Sequence, residues 1–235
     1  MSNATSPGTS TPSDKSGEEQ SDTPTQTPPP QTLLVLVRHG RTPTTGSVLP
    51  GRTPGLHLSP EGQIEAAATA QRLLSAYPTP AAIYSSPMER ALETAEPYSV
   101  LSKVAVEVNE ALVECEFGDW TGRELKELAQ LPEWRMVQSQ PSRFRFPSGE
   151  SFAEMSARMT GFLAMVSERH PGSVVVAYSH ADPIKALVAD VLGLHLDLFQ
   201  RIIISTATPS IIGIVDGSPS ILSVNTSATL PGKVF

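Results

Sequence analysis

Five consecutive aliphatic residues, Leu33-Leu34-Val35-Leu36-Val37, run directly into the polar Arg38-His39-Gly40. A strand with one wet face alternates apolar and polar side chains, so a short unbroken run of this kind requires burial on both faces. The rest of the chain must then supply covering helices, and the pattern does. Ser59-Pro60-Glu61 offers an N-cap serine and a proline at the first helical position, opening an Ala-rich helix from 61 to about 76 that Pro78 and Pro80 end. A strand is expected at 81–84, followed by a second capped start in which Glu89 completes a capping box with Ser86. Another strand reads at 104–108. Thr121-Gly122-Arg123-Glu124 and Ser151-Phe152-Ala153-Glu154 read as two further capping boxes, the second opening a helix to about 169. Val174-Val175-Val176 marks a buried strand over 173–178, Asp182-Pro183 reads as the cap of a helix ending near 193, and strands are expected at 200–205, 210–215 and 220–224. Strands alternating with helices imply an α/β three-layer sandwich around a mostly parallel central sheet.

Ahead of the first strand, residues 1–31 contain no Leu, Ile, Val or aromatic residue, while 12 are Ser or Thr and 6 are Pro. Such a segment buries too little apolar surface to offset its ordering entropy, so it is expected to be a disordered Ser/Thr/Pro-rich tail, with one globular domain over 32–235. The chain carries a formal net charge of −7. That argues against a nucleic-acid or anionic-membrane partner, since both require a basic field. No apolar run reaches the roughly 18 to 20 residues of a bilayer span, and no apolar stretch follows basic residues at the N-terminus. A lone cysteine, Cys115, excludes an internal disulfide framework. A cytoplasmic protein is expected. Monomer and homodimer are both compatible with the sequence.

In a parallel α/β sheet, ligands bind beyond the carboxyl ends of the strands. Arg38-His39 directly follows one buried run and Ser179-His180 another. A phosphate monoester dianion needs convergent positive donors, and neutral imidazole can attack phosphorus to form a covalent intermediate. Arginine suits the non-reacting oxygens because its planar fork gives two parallel hydrogen bonds. Arg38 and Arg90 are the candidates. The departing alkoxide needs a proton from a carboxylic acid, and spacing alone does not choose that acid.

The stretch from 33 to about 201 resembles the histidine phosphatase superfamily, which includes cofactor-dependent phosphoglycerate mutases and many small-molecule phosphatases. Arg38-His39-Gly40-x-Thr42 is similar to the family signature, implying that His39 is the nucleophile with Arg38 beside it. Ser85-Ser86-Pro87-Met88-Glu89-Arg90 is similar to its second arginine motif, implying that Arg90 binds phosphate. Leu112-Val113-Glu114-Cys115-Glu116-Phe117-Gly118-Asp119-Trp120 is similar to its acid motif, implying Glu114 as proton donor. Ser179-His180 before a helix resembles the second histidine motif, implying that His180, with Ala181 after it, contacts the transferring group. Thr45 stands near where many relatives place a phosphate-holding asparagine, and Arg41 replaces a common acidic residue. Gly51-Arg52-Thr53-Pro54 and Phe146-Pro147-Ser148-Gly149-Glu150-Ser151 resemble a bacterial subgroup described as phosphomutases, so Arg52 joins Thr45 as a candidate pocket residue.

The resemblance implies a phosphoglycerate mutase-like fold and hydrolysis of a small phosphate monoester through phospho-His39, with neither metal nor cofactor. The glycerate mutases carry a longer insertion between the last two motifs, whereas 65 residues lie between Glu114 and His180 here. Water is therefore the expected acceptor. The alternatives are a phosphomutase and a non-catalytic phospho-ligand binder. Glu116 is the rival acid, and Glu150 is read as a supporting residue. Cys115 is assigned no role, and Trp120 and Trp134 are read as packing residues or pocket walls. His170 and His195 are read as structural or surface residues, and His57 as lying on a loop near substrate. Arg41, Arg52, Arg123, Arg143 and Arg145 are the cations available to a second anionic group.

Overall fold

A computed structural model describes residues 1–5, 8 and 30–227; most of the tail expected over 1–31 lies outside the described residues. Six strands form one sheet in the order β3-β2-β4-β1-β5-β6. They are β1 (Thr32–Arg38), β2 (Ala82–Ser85), β3 (Val106–Val108), β4 (Val174–Ser179), β5 (Pro209–Val215) and β6 (Ser218–Ser223). β1 to β4 run parallel, whereas β5 lies antiparallel against β1 and pairs with β6 as a hairpin. The helices are α1 (Pro60–Ala76), α2 (Glu89–Ser102), the short α3 (Leu125–Leu128) and α4 (Trp134–Ser139), α5 (Phe152–Arg169) and α6 (Ala181–Val191).

The strand period of two divides β1 between two cores. Leu33, Val35 and Val37 pack with Ala70 and Leu73 of α1 and Ala95 and Tyr98 of α2. Leu34 and Leu36 pack on the other face with Phe162 and Val166 of α5 and Ile184 and Leu187 of α6. Each such side chain, fully buried, contributes roughly 1.5 to 3 kcal/mol of transfer free energy. The chain leaving β1 thus enters the helical layer on one face, and the chain leaving its neighbour β4 enters the layer on the other. Such a reversal opens a crevice between the carboxyl ends of β1 and β4. A third cluster, with Cys115, Phe117, Trp120, Phe146 and Phe152, packs the segment between β3 and α5 beside that crevice.

Several local expectations are corrected. Ser59 caps α1, and the Ser151–Glu154 capping box forms in full. At α2, however, Met88 is the N-cap, with no side-chain cap. Ser86 is instead bonded to His180 and Glu89 to the Gly55 N–H, so both prospective capping groups serve tertiary contacts. The expected capping box at Thr121 does not form, and Glu124 precedes only the short α3. There the backbone pairs with the loop after β1, through Leu49 N–H to Arg123 and Gly122 N–H to Leu49. Asp182 lies inside α6, paired with Lys185, and His180 stands at the cap position. No strand forms at 200–205, where a 3-10 turn Leu196–Arg201 leads into irregular chain. Both edges of β1 are already filled, by β4 and β5.

Candidate active site

Where β1 ends, the His39 N–H bonds to the Ser179 carbonyl at 2.9 Å, which carries the β1–β4 pairing one residue into the crevice. Nδ1 of His39 lies 2.7 Å from the Gly40 carbonyl oxygen. A carbonyl can only accept, so Nδ1 carries the proton and Nε2 carries the lone pair. The turn holding this tautomer depends on glycine, because a Cβ on Gly40 would stand 2.6 Å from the Gly62 carbonyl oxygen at the start of α1. The Gly40 N–H donates to Thr94 Oγ1 at 2.9 Å, and that hydroxyl donates to the Arg90 carbonyl at 2.6 Å. The His39 loop is thereby tied to α2.

Arg90 is fully buried on the first turn of α2. Its Nη2 donates to the Gly51 carbonyl at 2.8 Å, while Nε and Nη1 find no partner among the described residues. Arg38 behaves similarly, with Nη1 donating to the Ile204 carbonyl at 2.7 Å and a buried, unpartnered Nε. His180, also fully buried, has its ring centroid 5.2 Å from that of His39. Its Nε2 is 2.7 Å from Ser86 Oγ, and when Ser86 donates, Nδ1 carries the proton. Among the described residues that Nδ1 makes no hydrogen bond, and Glu114 Oε2 lies 4.0 Å from it. A buried donor left unmet costs about 1 to 3 kcal/mol, and this concentration of cationic and neutral donors suits an anion.

The titratable groups are driven in opposite directions. Burial, and then the charges of Arg90 and Arg38, push His39 down to about 3, and burial pushes His180 well below its ordinary value. Both imidazoles are neutral at physiological pH. Glu114 is only 7% exposed. Burial, aided by the Asp182 carboxylate, lifts Glu114 to about 7, although the Cys115 N–H and the two arginines oppose the rise. A neutral imidazole sharing a cavity with a carboxyl group that is half protonated at pH 7 is a division suited to phosphoryl transfer.

Backbone bonds hold the Glu114 loop. Ser179 Oγ donates to the Leu112 carbonyl at 2.7 Å, and Arg52 Nε donates to the Glu114 carbonyl at 2.8 Å. Glu150 connects the supports: it accepts from Arg52 Nη2 at 3.0 Å, from the Glu116 N–H at 3.2 Å and from Arg158 Nε at 2.9 Å. Arg52 is thus committed to the Glu114 loop through the Glu114 carbonyl and Glu150; Thr45 and Ala181 line the cavity, whereas Arg90 and His180, like Arg52, stand outside its lining. That cavity, about 270 Å³, is lined at its inner end by Arg38, His39 and Glu114. Thr45 Oγ1 accepts from the Thr42 N–H at 2.8 Å, shaping the loop after β1.

Residues set aside in the sequence lie elsewhere. His57 is exposed and paired with Glu93. Glu116 is half-exposed with its carboxylate 3.6 Å from Arg52, and burial pushes the Cys115 thiol far up. Ser86, Thr94, Asp182 and Arg158 were not anticipated in these roles. Ser86 and Asp182 read as helix caps, while Thr94 and Arg158 carry no local signal for their contacts with Gly40 and Ala111, 54 and 47 positions away.

The sequence profile of the Histidine phosphatase superfamily (branch 1) matches residues 34–227. The chain belongs to this superfamily. Phosphoserine phosphatase 1 of Hydrogenobacter thermophilus is 31% identical over 84% of this chain and 93% of its own length. Glucosyl-3-phosphoglycerate phosphatase of Mycolicibacterium vanbaalenii is 33% identical over 70% of this chain and 76% of its own. Among solved structures, Bacillus stearothermophilus YhfR superposes with a TM-score of 0.78 at 26% identity, covering 84% of this histidine phosphatase and 98% of that chain. The phosphoglycerate mutase-like fold and the family expected from the motifs are thus established.

Proposed function

We propose that this histidine phosphatase hydrolyses a small-molecule phosphate monoester by a two-step ping-pong reaction, catalysed within residues 32–235. His39 Nε2 attacks phosphorus while the P–O bond to the alcohol breaks, and Glu114 gives its proton to the departing oxygen. Arg38, Arg90 and His180 Nδ1 hold the three non-bridging oxygens, and the Ala181 N–H at the start of α6 adds a helix-terminal donor. Water then attacks phospho-His39, the P–N bond breaks, and the Glu114 carboxylate takes a proton from that water. The sum is ester plus water giving alcohol plus phosphate, with His39 and Glu114 regenerated.

The observation that carries this reading is the pairing of a pinned Nδ1–H on His39, which frees Nε2, with buried unpartnered donors on Arg38, Arg90 and His180. The names of the relatives support hydrolysis over phosphoryl transfer to a second metabolite. A reducing, cytoplasmic setting fits the single free Cys115. Among the described residues no helix is long and apolar enough to cross a membrane. The test is His39→Ala, assayed for phosphate release with mass spectrometry of acid-labile phosphoprotein in the parent chain. Turnover and the adduct are expected to disappear together; hydrolysis near the parental rate in the variant would sink the assignment.

A further inference from the structure

Away from the phosphoryl end, the cavity changes character. One wall is built from Leu49, Phe117, Leu125, Trp134, Val137 and Phe146, while Thr42, Thr44, Gln138 and Gln200 add uncharged polar groups to the lining. The aromatic members belong to one packed cluster. Trp134 stacks on Trp120 with centroids 6.2 Å apart and planes at 27°, Trp120 meets Phe146 edge-on at 5.4 Å, and Phe146 meets Phe117 edge-on at 4.9 Å. The wall is therefore rigid and already shaped for a flat or aliphatic group.

The charges on the lining are largely accounted for. Lys185 is 3.1 Å from Asp182 and 3.2 Å from Gln200 Oε1, with both charged side chains 17% exposed, so this lysine of the lining is matched by a carboxylate within the same cavity. The arginines that a second anionic group would use are directed elsewhere. Arg41 pairs with Glu65 at 3.7 Å, Arg52 with Glu150 at 3.0 Å and Arg145 with Glu154 at 2.5 Å, while Arg123 and Arg143 are not among the lining residues. A leaving group carrying its own carboxylate would lose hydration, meet Asp182 and Glu114, and find no uncommitted cation on the lining among the described residues beyond those holding the phosphoryl group.

We infer that this chamber accepts an uncharged, apolar alcohol, aryl-alkyl or aliphatic, as leaving group, with Trp134 and Val137 as specificity-determining residues. This inference rests on the hydrolase reading above and narrows its substrate class. It sets the chain apart from the relatives whose names specify phosphoserine or a phosphoglycerate derivative, since both of those compounds carry a carboxylate.

The test compares kcat/KM of the intact chain for phenethyl phosphate, ethyl phosphate, phosphoserine and 3-phosphoglycerate, all alkyl esters, so that leaving-group acidity varies little. Phenethyl phosphate is expected to exceed ethyl phosphate at least tenfold and the two carboxylate esters by more. Trp134→Ala should lower the phenethyl-to-ethyl ratio at least fivefold; because the ratio is taken within one preparation, a partly unfolded fraction does not alter it. Phosphoserine or 3-phosphoglycerate matching phenethyl phosphate, or an unchanged ratio in Trp134→Ala, overturns the inference and leaves the hydrolase reading intact. Failure to hydrolyse any ester, with no phospho-His39 formed, overturns both.

Discussion

Replacing Glu114 by glutamine keeps the shape of the side chain and removes its ionisable proton. In the free protein burial lifts this carboxyl to about 7. The acid is then about 99% protonated at pH 5, half protonated at pH 7 and about 1% protonated at pH 9. Since kcat/KM reports the ionisation of the free enzyme up to formation of phospho-His39, it should fall about 50-fold between pH 7 and pH 9 for an alkyl ester. The His39 titration, near 3, lies outside this window. Glu114→Gln is expected to lower kcat/KM for ethyl phosphate by about 10² to 10⁴, the usual contribution of a positioned general acid, and to abolish the alkaline fall. With 4-nitrophenyl phosphate, whose phenolate departs without a proton, the loss should be much smaller. Glu116→Gln should retain the alkaline limb, since that side chain is half-exposed and faces Arg52. The assay is a pH series from 7 to 9.5 with both esters. An alkaline limb that persists in Glu114→Gln, or an equal loss for both leaving groups, would refute the assignment of Glu114 as proton donor.

The same carboxyl should affect stability. Its folded-state value of about 7 lies above the ordinary 4.5, so between these limits the folded chain binds more protons and stability falls as pH rises. Glu114→Gln removes that loss and should raise unfolding free energy by about 3 kcal/mol at pH 8 and little at pH 4, measured by urea denaturation. Gly40→Ala would place a Cβ 2.6 Å from the Gly62 carbonyl, forcing the His39 turn to shift. About 1 to 3 kcal/mol of lost stability by thermal melting should accompany a fall in kcat of at least tenfold. Glu150→Gln deprives Arg52 and Arg158 of their shared carboxylate. It should cost about 2 to 4 kcal/mol and, by loosening the Glu114 loop, displace the alkaline limb of kcat/KM, which a purely structural defect would leave in place.

Much of the fold was legible because its strands are buried on both faces: Leu33 to Val37 and Val174 to Val176 announce themselves as continuous aliphatic runs, and a layer of helices on each side follows from them. The misread caps at Ser86 and Asp182 have one cause. Both residues match a local helix-start pattern, but Ser86 bonds a histidine 94 positions away and Asp182 pairs with Lys185 while raising Glu114. A strand at 200–205 failed for a similar reason, since the β1 edge it would need is taken by a hairpin further along the chain.

By itself the sequence determined the class of fold and the identities of the groups set at the strand ends, because strand burial, cap chemistry and the spacing of the four motifs are properties of consecutive residues. The tertiary structure decided which nitrogen of His39 is free, that burial lifts Glu114 to about 7, that Arg52 holds the Glu114 loop, and that one wall of the cavity is aromatic and aliphatic. Each of these depends on desolvation and on partners brought in from distant segments, and those interactions come into being only when the chain folds.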